Sequence, residues 1–214
     1  MPLQNRVTPF GEIIAHSARG ELMGNRGILH DASQRLSPSR WRHRHWVTCL
    51  TRFKEWQRRV MQPHAYTELF FLDEATALAA GHRPCALCRR ERYRSFQTAM
   101  QRAFQLGDQL DADGLDRMLH QARIVSGSRR QQQFRALLED LPSGTMVSFP
   151  AESATAWLIH DDRLLRWQPA GYDTCRARTK GVSVQVLTPE PTVLALKNGY
   201  HAMIHSSADV QDLQ

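Results

Sequence analysis

The sequence predicts an α+β fold, with a helical, zinc-knuckle-containing N-terminal part followed by a small β-rich part. Apolar positions recur at helical spacing between about residues 89 and 124, and short β-prone runs dominate after Leu141. Between the first strands and the first long helix lies Gly81-His82-Arg83-Pro84-Cys85-Ala86-Leu87-Cys88, a tight turn with cysteines at C-x-x-C spacing. A chain of 214 residues suffices for one large or two small units, and the change in texture divides it into 1–135 and 136–214.

Taken in order, residues 1–40 are rich in Gly, Arg and Asn, and residues 20–27 read as turns joining short extended pieces. Trp46–Phe53 is β-prone, with Val47, Cys49 and Thr51 on one face; Tyr66–Leu72 is a second run expected to pair with it. Asp73 is placed to cap an Ala-rich helix over 74–80, and Gly81 to close it. A longer helix is predicted over 89–105, its stripe of Tyr93, Phe96 and Met100 reading as core, and another over 113–124. Residues 126–130 break that pattern, and a short helix is expected over 132–139. Strands follow at 145–149, 156–160, 163–167 and 182–187, with Asp161-Asp162 as a hairpin turn. Residues 165–172 read as a shaped turn, and 192–198 as a short helix closed by Gly199.

Composition narrows the function classes. The longest apolar runs, such as Phe70-Phe71-Leu72, fall far short of the roughly 20 residues that cross a bilayer. The first residues lack the apolar stretch of a secretory signal, and four unevenly placed cysteines do not form a disulfide framework. A reducing, cytoplasmic setting with metal-bound thiolates is the expectation. The net charge of +7 is concentrated: residues 1–60 carry eleven Lys/Arg against four Asp/Glu, and the remainder is balanced. Such an excess favours a polyanionic partner, most simply nucleic acid, with a solvated basic face as the alternative. Arg40-Trp41-Arg42-His43-Arg44-His45-Trp46 interleaves phosphate-neutralising cations with rings able to stack on bases, so Arg40, Trp41, Arg42, Arg44 and Trp46 form the candidate nucleic-acid contact.

Cys85 and Cys88 supply half of a tetrahedral zinc site. Cys49, in the nearby β-prone run, is the expected third ligand. A histidine completes the set, with His64 the first choice and His45, His43, His30 and His82 as the other candidates. Three thiolates argue for a structural ion rather than a catalytic one. Walker, G-x-G-x-x-G, G-x-S-x-G and H-E-x-x-H motifs are all missing from the sequence. Acid–base chemistry, if present, falls to His30, Asp31, His120 and Arg123, the last two one helical turn apart. Glu68, Asp73 and Glu74 near the knuckle would suit a hydrolytic metal, although Asp73 and Glu74 also read as helix cap and dipole support.

Residues 68–90, a strand, an Ala-rich helix ending Ala79-Ala80-Gly81 and then Arg83-Pro84-Cys85-x-x-Cys88-Arg89, resemble the second half of the zinc-binding module of Ada-type DNA repair proteins. The resemblance covers about a tenth of the chain and implies zinc binding with nucleic-acid association. In that family an upstream cysteine pair takes part in methyl transfer, whereas the corresponding positions here, near Arg58 and Gln62, hold no cysteine. The sequence therefore leads to a zinc-containing, DNA-associated protein, with a metal-associated hydrolase or nuclease and a zinc-stabilised interaction adaptor as alternatives.

Overall fold

A computed structural model of the chain describes residues 1–55, 59–106, 110–128 and 130–209; Arg58 and Arg129 lie outside the described residues. The chain is mixed α and β, with two six-stranded sheets and four α-helices among the described residues. The first sheet comes almost entirely from the N-terminal third: β1 (Gln4–Val7), β2 (Ile13–Ala15), β3 (Leu22–Asn25), β4 (Val47–Leu50) and β5 (Leu69–Phe71). After α1 (Glu74–Ala79), the two-residue β6 (Arg83–Pro84) completes it in the order β2-β1-β5-β3-β4-β6. The N-terminal part is thus α+β as expected, and the Cys85–Cys88 turn leaves the edge strand of its sheet.

The two β-prone runs expected to pair do not touch as partners. β3 lies between them, antiparallel to both, with Met23 opposite Cys49 on one side and Phe70 on the other. Leu22–Asn25 was legible only as an extended piece among turns, because Gly24 interrupts its alternation. That glycine is required: a Cβ there would lie 2.4 Å from the Val47 carbonyl oxygen.

Helices α2 (Arg90–Phe104) and α3 (Ala112–Arg123) follow, and their predicted apolar stripes are buried as core. The expected helix over 132–139 is instead β7 (Phe134–Leu137) followed by a 3-10 turn at Leu138–Asp140. Its residues alternate between half-buried and exposed, and pairing with a neighbouring strand outweighs local helix propensity. β8 (Met146–Phe149), β9 (Glu152–His160), β10 (Arg163–Gln168) and β11 (Gly171–Ala177) form an antiparallel meander. The predicted turn at Asp161-Asp162 joins β9 to β10. The shaped turn expected over 165–172 is instead mostly strand: 165–168 belong to β10 and 171–172 to β11, which pair across a tight turn at Pro169-Ala170. β12 (Ser183–Val186) joins β8 to β7, and α4 (Glu190–Lys197) follows, with Pro191 tolerated in its first turn.

All six residues of α1 are buried, which explains why it is rich in alanine. Ala75 and Ala79 lie against Met146, Leu158 and Leu165 of the second sheet, whereas Ala77 and Ala80 lie against Leu69 and Phe71 of the first. Leu78 joins Phe96, Leu115 and Leu196 of the other three helices. Small side chains let both sheets approach one helix closely, so the apolar clusters draw on residues from both sides of position 135. Asp73 caps this helix as expected, accepting from the Thr76 amide at 2.8 Å, and Gly81 closes it at φ 80°.

Candidate metal centre and arginine cavity

The knuckle is assembled by one parallel strand pair. β4 and β6 align Thr48 with Pro84, and the Cys85 amide donates to the Thr48 carbonyl at 2.9 Å. Cys49 and Cys85, the next residues on the two strands, are thereby brought side by side. A turn closed by the Arg89 amide on the Cys85 carbonyl at 3.1 Å returns Cys88 to the same point. The Leu87 amide donates to the Cys85 sulfur at 3.4 Å, and the Leu50 amide donates to Cys88. The three sulfurs all lie within 4.8 Å of one another. Tetrahedral zinc with bonds of about 2.3 Å would set them about 3.8 Å apart, so the donor set fits a soft, thiolate-loving metal ion.

Hydrogen bonds from Cys49 and Cys88 hold the Cys85 thiol far below the usual thiol range, while hydrogen bonding within the cluster and burial push Cys49 up, and Cys88 is raised as well. The trio thus favours a single thiolate, on Cys85, with the other two thiols as its hydrogen-bond donors. Its outer side opens on a cavity of about 160 Å³ whose wall includes Leu50, Phe70, Leu87 and the buried Glu68. One Glu68 oxygen is held by the Met61 amide at 2.7 Å.

No histidine belongs to this group among the described residues, and the sequence segments outside them contain neither Cys nor His. His64, the expected fourth ligand, is exposed in a turn at φ 65°, where the Ala65 amide closes onto the Gln62 carbonyl. That turn aims Gln62 at His30 instead: the buried His30 ring bonds the Gln62 carbonyl at 3.1 Å and the Thr67 hydroxyl at 2.6 Å. His45 bonds Asp116 at 2.8 Å, and its ring centroid lies 5.9 Å from that of His43. His82 is interior, between Trp46 and Phe71. Cys175 belongs to the apolar cluster of the second sheet.

The candidate acid–base residues separate into unrelated roles. Asp31 is exposed, caps its own turn and pairs with Arg35 at 3.0 Å. His120 and Arg123 do meet, at 3.2 Å, but no hydrogen bond joins either to His30 or Asp31 among the described residues. Burial, with Arg123 and Arg44 beside it, pushes His120 below the ordinary imidazole range. Asp73 and Glu74 tie the molecule together. Asp73 accepts from Tyr172 at 2.7 Å and from the His205 amide at 3.1 Å, and Glu74 accepts from Arg89 and Tyr200 at 2.7 Å and Arg92 at 2.5 Å. Both carboxylates are spent on internal partners.

The basic aromatic segment divides in the same way. Trp46 is 2% exposed, with its indole N–H on the His43 carbonyl, so it is a core ring rather than a stacking platform. Trp41 is half-buried, edge-on to His120 at 4.8 Å. Arg40, Arg42 and Arg44 are exposed; Arg44 pairs with Asp113 at 2.7 Å, and Arg42 donates to the Ile28 carbonyl.

Trp46 anchors a feature that periodicity could not reveal. The guanidinium carbons of Arg26 and Arg123 lie 4.2 Å and 3.9 Å from its ring. Both arginines are buried, at 2% and 0% exposure, and neither has a carboxylate within ion-pairing distance among the described residues. Arg26 donates only to the Gly11 and Ala80 carbonyls and to His82, at 3.1–3.5 Å. Arg123 donates to the Gly81 and Arg44 carbonyls, and its Nε has no hydrogen-bond partner. Burial, then repulsion from Arg40, pushes Arg26 down to about 9; burial and Arg26 likewise lower Arg123. These arginines line a cavity of about 520 Å³ together with Arg40 and Arg130. Comparison with family models, with curated proteins and with solved structures finds no match to this chain, so its own residues carry the functional reading.

Proposed function

We propose that this chain is a zinc-containing, nucleic-acid-associated protein in which a structural zinc ion, held by Cys49, Cys85 and Cys88, fixes the junction of β4 and β6. The observation that carries the metal is the convergence of the three thiols of Cys49, Cys85 and Cys88 at one point, with Cys85 biased toward the thiolate form. The resemblance of residues 68–90 to the Ada-type zinc module supports the same ion and the same partner class. Nucleic acid, most simply DNA, is supported by the cationic excess of residues 1–60 and by the exposed Arg40, Arg42 and Arg44. Free thiols in this number suit a reducing compartment such as the cytoplasm.

Elemental analysis of untagged protein tests the metal. About one zinc per chain is expected in the wild type, lost in Cys49→Ser and Cys85→Ser and kept in His64→Ala. A metal-free wild type would remove the zinc reading. For the partner, anisotropy of a labelled DNA strand should show affinity falling steeply with salt, the log–log slope shrinking by about 1–2 in Arg42→Gln/Arg44→Gln. A slope unchanged by that variant would count against the basic segment as the contact.

A hydrolytic role has one observation in its favour: the cavity beside the three sulfurs also carries Glu68, and no fourth cysteine or histidine joins the set. Glu68→Gln keeps the side-chain volume and an acceptor for the Met61 amide. Loss of phosphodiester cleavage with zinc content intact would favour that role over a purely structural ion.

A further inference from the structure

The arginine cavity gathers Arg26, Arg40, Arg123 and Arg130 against one acid, Glu12. Taking a charge out of water is costly unless an opposite charge or a full set of hydrogen bonds replaces the water. Neither Arg26 nor Arg123 has an ion-pairing carboxylate among the described residues: their acceptors are carbonyls and the His82 and His120 rings, and one guanidinium N–H is unpaired. Arg40 repels Arg26 and Arg26 repels Arg123, while Asp116 alone offsets part of this at Arg123. Arg89, equally buried, shows the contrast, since Glu74 neutralises it at 2.7 Å. The fold maintains the crowding with specific devices. Gly81 at φ 80° leaves room for the Arg123 stem, which a Cβ would approach to 2.6 Å, and Trp46 holds both guanidinium planes in place. Arg40 and Arg130 on the rim make no ion pair among the described residues, and Glu12 is the one acid on the wall.

We propose that the cavity bounded by Arg26, Arg40, Arg123 and Arg130 is a binding site for a phosphate-bearing ligand of mononucleotide size. Arginine forks match phosphate oxygens and remain charged at all physiological pH values. The volume of about 520 Å³ lies within the range of about 300–1,000 Å³ typical of small-ligand sites, more than a bare phosphate needs. Both faces of the indole are not on offer, Trp46 being 2% exposed, so the anion rather than a stacked base supplies the recognition. This inference rests on the nucleic-acid reading and deepens it by naming the ligand chemistry and the residues that receive it. A free nucleotide and the end of a strand offer the same phosphate chemistry, and the two sources are separable by the probe used.

Calorimetric titration of the zinc-loaded full chain with adenosine 5′-monophosphate, adenosine, and a short single strand with and without a 5′-phosphate makes the test. The monophosphate is expected to bind with salt-dependent affinity, and adenosine not to bind. Arg130→Gln and Gln133→Glu alter exposed wall residues without disturbing the core, and each should weaken binding about tenfold. Preference for the phosphorylated strand over its 5′-hydroxyl twin assigns the site to strand ends; binding of the mononucleotide alone assigns it to a free nucleotide. Equal binding of adenosine, no binding of any phosphorylated probe, or affinities untouched by both variants would overturn the site. Strand binding that fails only in Arg42→Gln/Arg44→Gln would leave the cavity standing, so the two readings fail separately.

Discussion

Asp116 tests how the knuckle is held in place. It lies on α3 with 0% exposure and accepts from Arg83 Nε at 2.8 Å, Arg83 Nη2 at 2.6 Å and His45 Nδ1 at 2.8 Å. Arg83, itself 4% exposed, is the first residue of β6 and lies two positions before Cys85. Asp116→Ala removes a bidentate partner and leaves a guanidinium buried without compensation, a change of about 3–5 kcal/mol. Asp116→Asn keeps the volume and one acceptor but not the charge, and should cost about 2–3 kcal/mol. In Asp116→Leu/Arg83→Met both charges disappear together, so most of the single-variant loss should return. The assay is urea unfolding followed by circular dichroism at saturating zinc, with zinc affinity measured by chelator competition. The reasoning is refuted if Asp116→Ala unfolds within about 0.5 kcal/mol of wild type, or if the double variant is no more stable than the sum of its parts. Zinc affinity unchanged despite the full stability loss would show that the ion pair does not position the knuckle.

Three other substitutions probe the same framework. Glu74→Gln strips the charge that faces Arg89 and Arg92 and should cost about 3 kcal/mol in the same unfolding assay, with little effect on zinc content. Gly81→Ala places a Cβ 2.6 Å from Arg123 Cδ at a backbone φ of 80°, and is expected to lower stability by about 2–3 kcal/mol; a melting temperature unchanged from wild type would contradict this. His82 is fully buried, its pKa lowered well below the ordinary value first by burial and then by Arg26 and Arg123. The unfolded imidazole therefore binds a proton near pH 6.5 that the folded one refuses, and stability, complete above that pH, is lost as pH falls. His82→Gln should flatten the stability–pH slope below about 6.5 by about 1.4 kcal/mol per unit, and an unaltered slope would show that His82 does not stay neutral.

Local chemistry made α1, α2 and α3 legible in the sequence: Asp73 and Gly81 bracket the first, and the stripe of Tyr93, Phe96 and Met100 marks the second. The hairpin at Asp161-Asp162 was legible for the same reason, since turn and alternation are neighbours in the chain. Pairing over long separations was not. Nothing in Leu22–Asn25 announces that it separates β4 from β5, because strand order is decided by which faces can be buried together. Cys49 was reachable as the only other cysteine near a β-prone run in the same region as Cys85 and Cys88, whereas the histidines divided according to tertiary neighbours such as Thr67 and Asp116. Arg26 gave no periodic signal. A buried arginine and a solvated one look the same in a list of residues, and only the position of Trp46 tells them apart.

The thiol cluster and the arginine cavity are joined by one short stretch of chain. Gly81 gives its carbonyl to Arg123, His82 takes a hydrogen bond from Arg26, Arg83 pairs with Asp116, and Cys85 enters the thiol cluster. Residues 81–85 include a β6 of only two, paired in parallel with β4 at the edge of the first sheet. So short a strand gains little from its own ladder. Its register depends on what fixes its ends: the Asp116 ion pair and α1 on one side, and the three sulfurs on the other. Trp46, immediately before β4, accepts the Arg83 amide at its carbonyl and carries both cavity arginines on its ring, so the same register sets where the positive charges are held. Zinc at the thiols would therefore act on the cavity through the backbone, by pinning the edge strand whose other end positions the guanidinium groups.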